Sequence, residues 1–154
     1  MRIDSNNLPI METFYSVQGE GFYSGKPAFF IRVGGCDVGC HWCDVKESWD
    51  HGDHEIINVD EIISNVIGTN LVIITGGEPL MWNMNILTKK LKENKMKVHL
   101  ETSGAYKISG KWDWICLSPK KQKLPENEIY ELANELKIII HNKNDLKFAL
   151  QESK

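Results

Sequence analysis

Three cysteines fall close together in the segment Cys36-Asp37-Val38-Gly39-Cys40-His41-Trp42-Cys43, a C-x3-C-x2-C spacing. Thiolates are soft ligands suited to iron–sulfur clusters and to zinc. A cubane cluster has four irons and usually takes four cysteines. Three closely spaced cysteines therefore leave one iron free to accept a small ligand. Gly34, Gly35 and Gly39 let the loop wrap closely around such a group. A structural zinc site is the alternative, with Cys116, His41 or His51 as fourth ligand, although zinc sites more often draw on C-x2-C pairs. Cys116 sits in the apolar stretch Trp114-Ile115-Cys116-Leu117, where a buried structural thiol is the expected role.

Other polar residues stand at the ends of apolar runs. Arg32 comes four residues before Cys36, and Thr75-Gly76-Gly77-Glu78-Pro79 follows Leu71 to Ile74. Glu101 follows Val98 to Leu100, and Ser118-Pro119-Lys120 follows Trp114 to Leu117. Each also has an ordinary explanation. Arg32 can snorkel to the surface from a strand, Trp42 can fill core, and Glu101 can cap a helix. A Gly-Gly turn with a proline is a common strand exit. The run Lys120 to Lys123 suits a solvated face.

These residues need elements to hold them, and the punctuation of the chain supplies alternating strands and helices. Ala28 to Val33, Leu71 to Ile74, Val98 to Leu100, Trp114 to Leu117 and Leu136 to Ile140 read as strands. Asn58 is expected to cap a helix, with Glu61 closing a capping box, and Ile62, Ile63, Val66 and Ile67 forming its apolar face. Further helices are expected over Asn83 to Asn94, with Leu87 and Leu91 inward, over Glu128 to Asn134, and from an Asn142 cap through Leu150. Apolar strands alternating with amphipathic helices imply parallel βα units. The chemistry-bearing residues all follow strand C-termini, the edge where parallel α/β architectures build their sites. Five strands do not easily close a full barrel, so the expected fold is an α/β open partial (β/α) barrel, a single domain over residues 1–154.

The bulk properties exclude several classes. A net charge of −3 gives no nucleic-acid footprint. No apolar run approaches the ~20 residues of a membrane helix. Met1 to Pro9 lacks the hydrophobic core of a secretory peptide. Clustered cysteines without an export signal read as metal ligands or redox thiols, and the cytoplasm is the expected compartment.

The cysteine spacing, with an aromatic residue just before the third cysteine, resembles the signature of the radical SAM superfamily (SAM, S-adenosylmethionine). Gly76-Gly77-Glu78-Pro79 looks like that superfamily's GGEP segment, which binds the SAM amino group. The resemblance implies a [4Fe–4S] cluster on Cys36, Cys40 and Cys43. SAM chelates the unique iron and is cleaved reductively to a 5′-deoxyadenosyl radical.

Within the superfamily, several segments resemble the 7-carboxy-7-deazaguanine synthase family. They are Phe14-Tyr15-Ser16-Val17-Gln18-Gly19-Glu20-Gly21, Phe30 to Cys36, Ile74 to Leu80, His99 to Gly104 and Leu117 to Lys120. The nearest confusable relatives, small activating enzymes such as glycyl-radical activases, lack the Gln18-Gly19-Glu20-Gly21 segment. The resemblance implies conversion of 6-carboxy-5,6,7,8-tetrahydropterin to 7-carboxy-7-deazaguanine with loss of ammonia, a step toward queuosine. SAM acts as a cofactor and Mg2+ assists. It implies SAM contacts from Trp42, Cys43, Asp44, Gly76, Gly77, Glu78, Ser118, Pro119 and Lys120. It implies substrate contacts from Val17, Gln18, Gly19, Glu20, Arg32, Thr75 and Glu101, with Arg32 forking onto the pterin carboxylate. A flavodoxin or ferredoxin as reductant and a homodimer are the implied partners.

Two departures from the family pattern stand out. The family carries Thr or Ser two residues after the third cysteine, where a hydroxyl helps bind magnesium. This chain has Val45, which offers no side-chain oxygen to a hard cation. Family members also continue for about one more strand beyond the position of Lys154, so a C-terminally truncated chain is expected.

Overall fold

The computed structural model describes residues 4–154; residues 1–3, the start of the polar segment Met1 to Pro9, lie outside the described residues. Seven strands form one sheet: β1 (Asn7–Val17), β2 (Pro27–Val33), β3 (Glu55–Asn58), β4 (Leu71–Gly76), β5 (Lys97–Thr102), β6 (Trp114–Leu117) and β7 (Glu135–Leu136). Their spatial order is β3-β1-β2-β4-β5-β6-β7. From β2 to β7 the strands are parallel, as the alternating pattern predicts. β1 and β3 add an antiparallel edge that the sequence reading lacks. β7 is two residues long, where a strand over Leu136 to Ile140 is expected; its partner β6 ends at Leu117, opposite Leu136, so the ladder closes with Lys137 N on Leu117 O.

Period-two alternation assigns the two faces of the sheet. Phe29, Ile31 and Val33 of β2, Val72 and Ile74 of β4, and Val98 of β5 join one buried cluster. Helices α1 (Val59–Ser64) and α2 (Asn85–Glu93) supply its other half through Val59, Ile62, Leu87 and Leu91. Leu87 and Leu91 are fully buried, each worth about 2 kcal/mol of transfer free energy. Leu100, Ile115 and Leu117 make a second cluster on Ile129 of α3 (Asn127–Leu132). The alternate residues, Ala28, Phe30, Leu71 and Ile73, form a separate cluster with Phe14 on the opposite face. Farther along the strands that same face turns polar, and there the site is built.

A bulge in β1 between Ile10 and Glu12 shifts the register. Ile10 pairs with Val33, yet Glu12 pairs with Arg32, so one inserted residue moves the following side chains to the other face. Leu8 and Ile10 thereby join the helix-side core, while Glu12 and Phe14 turn to the site face.

Helix ends differ in detail from the sequence reading. Asn58 caps α1 by accepting from Asp60 N at 3.0 Å, without the expected reciprocal bond from Glu61. The full box forms instead at α4 (Lys143–Glu152), between Asn142 and Asp145. Since α1 stops at Ser64, Ile67 falls beyond it and is 64% exposed rather than on its apolar face.

Candidate active site

The cysteine loop leaves β2 through Gly34 and Gly35 and is clamped on two sides. Gly35 N donates to Ser48 O at 2.6 Å, and Cys36 N to Trp49 O at 3.1 Å. From the β4 exit, Gly77 N donates to Val33 O and Glu78 N to Gly35 O, each at 2.8 Å. Trp82 Nε1 reaches Gly34 O at 2.8 Å. The fit of the two loops demands glycine. A Cβ on Gly77 would stand 2.3 Å from Gly35 O, and Gly76, at φ +122°, would meet Val33 N and O at 2.4 Å.

Cys36, Cys40 and Cys43 come together in an apolar shell of Val38, Ala105, Trp42 and Tyr106. Burial pushes the Cys36 and Cys40 thiols up, and the Lys120 ammonium partly offsets this at Cys40. Among the described residues, no three His, Cys, Asp or Glu side chains converge closely enough for a single metal ion. A cubane presents its irons at separate corners, so three soft thiols spread around an apolar pocket suit it without converging on one point. The fourth-ligand alternatives stand in differing surroundings. His51 meets Trp82 edge-on with centroids 5.5 Å apart, and His41 is exposed. Cys116 lies on β6 opposite Glu101 and Glu135; burial pushes its thiol up to about 12.

The three cysteines open onto a cleft of about 810 Å³ that runs along the C-terminal edges of the strands. At its cluster end it is lined by Trp42, Asp44, Val45, Gly76, Gly77, Ser118 and Lys120. Lys120 Nζ donates to Ser118 O at 2.7 Å and lies 5.4 Å from the Trp42 ring centroid. Burial lowers the affinity of its amine for a proton. Pro119 is buried and is absent from the residues that line the cleft. Glu78, expected to meet a SAM amino group, is among the residues that line this cleft, and its carboxylate is also bonded within the protein. It is 1% exposed and accepts from Leu80 N, Thr102 Oγ1, Ser103 N and Ser103 Oγ. These bonds lock the Gly-Gly loop to the β5 exit.

At the other end, Val17, Gln18, Gly19, Glu20, Arg32, Thr75 and Glu101 all line the same cleft. Glu101 is the hub. Its Oε1 accepts from Gln18 Nε2 at 2.9 Å, and its Oε2 from Thr75 Oγ1 at 3.1 Å. Gln18 Oε1 accepts from Glu20 N at 3.2 Å, so the amide is held by both of its ends. Arg32 lines the cleft with its Nη1 paired to Glu12 Oε1 at 3.1 Å, and its guanidinium lies 5.5 Å from the Phe14 ring centroid.

Three participants escape the sequence reading. Glu12 is brought to Arg32 by the bulge. Lys137 pairs with Glu20 at 3.0 Å and Glu101 at 3.7 Å. Burial opposes its charge, but the Glu101 field and the Glu20 hydrogen bond prevail and raise its proton affinity. Glu135 binds the loop after Glu20, as described below. The available signal for Lys137 is a lone cation beside the apolar run Ile138-Ile139-Ile140.

An open α/β sheet with a three-cysteine loop after its first parallel strand, facing a Gly-Gly loop after the second, defines a radical SAM protein. Residues 30–113 match the Radical SAM superfamily, whose members use a [4Fe–4S] cluster and SAM; membership decides the cysteine loop in favour of the cluster over zinc. The chain is 56% identical to 7-carboxy-7-deazaguanine synthase of Flavobacterium psychrophilum over 95% of its own length and 70% of the relative's. It is 51% identical to that of a Synechocystis species over 96% and 72%. Its structure superposes on the crystal structure of QueE from Escherichia coli with a TM-score of 0.85, at 30% identity, covering 96% of this chain and 76% of that one. The chain belongs to the 7-carboxy-7-deazaguanine synthase family.

Proposed function

We propose that this chain converts 6-carboxy-5,6,7,8-tetrahydropterin to 7-carboxy-7-deazaguanine with loss of ammonia, as a radical SAM carbon–nitrogen lyase. The observation that carries this reading is one continuous cleft. It joins the three-cysteine loop to a fixed row of amide, carboxylate and cation groups suited to a polar bicyclic substrate.

Cys36, Cys40 and Cys43 would hold the cluster, and the Gly76-Gly77 backbone with Trp42, Asp44, Ser118 and Lys120 would bind SAM. With SAM bound, the cluster supplies one-electron radical chemistry at the substrate end. The remaining work is orientation. Glu20 and Glu101 are acceptors for a guanidine-like pterin edge, and Gln18 and Thr75 keep Glu101 in place. Lys137, paired with both Glu20 and Glu101, offsets part of their negative charge and leaves a net acceptor character that suits a guanidine-like edge. Arg32 can leave Glu12 for a substrate carboxylate at small cost. Their pair is partly exposed, and such pairs are worth about 0–1 kcal/mol. A planar, two-pronged contact with a bound carboxylate is the stronger bond.

Residues 1–154 are read as one radical SAM domain acting as a homodimer in the cytoplasm, with flavodoxin or ferredoxin as electron donor. No helix among the described residues is long and apolar enough to cross a membrane. The test is anaerobic reconstitution followed by incubation with SAM, reductant and 6-carboxytetrahydropterin. The deazapurine product is expected, with SAM not consumed. An intact four-iron cluster that cleaves SAM yet yields no deazapurine overturns the substrate assignment.

A further inference from the structure

The β1–β2 loop, residues 18–26, is a compact unit closed on itself. Gln18 N donates to Lys26 O at 2.9 Å and Gly25 N returns to Gln18 O at 2.8 Å, while Ser24 N and Lys26 N bond Gly21 O and Tyr23 O. It springs from β1 and β2, yet it docks across β5 and β6 as far as β7. β4, β5 and β6 separate β2 from β7. On the far side Phe22 stacks on Trp114 with centroids 5.1 Å apart, and Tyr23 meets His99 edge-on at 4.5 Å. The polar part of the dock comes from β7 and the residue just after it. Glu135 Oε1 accepts from Phe22 N at 3.3 Å, and its Oε2 from Trp114 Nε1 at 3.0 Å. Lys137 Nζ donates to Glu20 Oε2 at 3.0 Å. Gly21, at φ +68°, makes the approach feasible, since a Cβ there would stand 1.8 Å from Glu135 Oε1.

We propose that Glu135 and Lys137 are positioning residues that hold the 18–26 loop as a strap across the substrate end of the cleft. The strap carries Gln18 and Glu20 on its cleft side and its aromatic clasp outside. Its two polar anchors sit two residues apart, so both face the same side of the sheet. Glu135 fixes the backbone of the strap and Lys137 its carboxylate. The aromatic contacts give burial without direction, because Phe22 remains 75% exposed. Register along the cleft therefore comes from the two ionic anchors. The inference rests on the reading above that Gln18 and Glu20 face the substrate.

The test uses the full chain with its cluster reconstituted, as Glu135→Gln, Lys137→Met and Gln18→Ala variants. Glu135→Gln keeps the size of the side chain, but one of its two acceptors becomes a donor. Hydrogen exchange of the 18–26 amides, Phe22 above all, should quicken about tenfold or more in Glu135→Gln, as local opening becomes easier. In both the Glu135→Gln and Lys137→Met variants KM for the pterin should rise about tenfold, with kcat changing much less. Iron content and SAM affinity should hold, and Lys137→Arg should recover most of the lost affinity. If Glu135→Gln disturbs β6 through Trp114, Lys137→Met reads the same strap from its separate contact with Glu20. Unchanged loop exchange and unchanged pterin KM in the Glu135→Gln and Lys137→Met variants, with a raised KM in Gln18→Ala, overturn the strap alone. No effect of Gln18→Ala on pterin KM would instead overturn the substrate reading on which it rests.

Discussion

At the scale of single residues, similar side chains take different roles according to what surrounds them. Glu78 and Glu101 both follow strand ends. Glu78 is almost fully buried and answers four donors, while Glu101 is more open to the cleft. Glu78→Gln turns one acceptor oxygen into an amide facing Ser103 N, leaving donor against donor. A loss of about 1–3 kcal/mol in urea unfolding is expected, while Glu101→Gln should cost less stability and more pterin affinity. The cysteines separate in the same way. Cys36→Ala should abolish the four-iron absorption, and Cys116→Ala should retain it, since Cys116 lies on β6 among Glu101, Glu135 and Lys137. Iron loss in the Cys116 variant would sink the three-ligand assignment. Val45 lines the cleft, and even its backbone oxygen is taken, accepting from Ser48 Oγ at 2.7 Å. Magnesium should therefore stimulate turnover weakly, and Val45→Thr should strengthen the effect. Equal, strong stimulation of both proteins would show that the metal is bound elsewhere.

At the scale of elements, the site depends on two loops that meet backbone to backbone. The β2 exit and the β4 exit exchange two hydrogen bonds, and the second glycine of Gly76-Gly77 leaves no room for a side chain. Gly77→Ala must push Gly35 and Cys36 away by more than a small adjustment. The strands beneath should survive, because their cores lie on the helix face. The expected result is a protein with wild-type far-UV circular dichroism that retains much less iron after desalting. Full iron retention would mean that the two loops can separate without cost to the cluster.

At the scale of the whole molecule, folding stability should depend on pH through His99. It is 4% exposed on the site face of β5, against Tyr23 and Trp114. Burial pushes its imidazole from 6.5 down to about 4, despite the nearby Asp113 carboxylate. Below pH 6.5 the unfolded chain takes up a proton that the folded chain refuses until about pH 4. Stability from this residue is thus complete above 6.5 and falls as the pH drops through that window. The loss is on the order of 3 kcal/mol. His99→Phe preserves a ring for Tyr23 and Trp114 and has no proton to gain. Urea unfolding of the apoprotein between pH 4 and 7 should show a shallower slope for the variant; equal slopes would mean that His99 titrates normally in the fold.

What the chain determines by itself is local chemistry. The cysteine spacing, the paired glycines and the polar residues after each apolar run are contiguous features, and their meaning survives without coordinates. The parallel strands from β2 to β6 and the inward faces of Leu87 and Leu91 were legible for the same reason, since periodicity is a property of neighbouring residues. The tertiary structure decided who meets whom. Gln18 reaches Glu101 across 83 residues and Lys137 reaches Glu20 across 117, pairings that depend on strand order and not on spacing. The single-residue bulge in β1 turns Glu12 toward Arg32, because one inserted residue inverts every side chain after it. Glu78, which belongs to a signature segment, has its carboxylate buried because three donors from the β5 exit and its neighbour Leu80 N converge on it. A sequence shows which groups are available; burial and strand order decide which of them are free to meet a ligand.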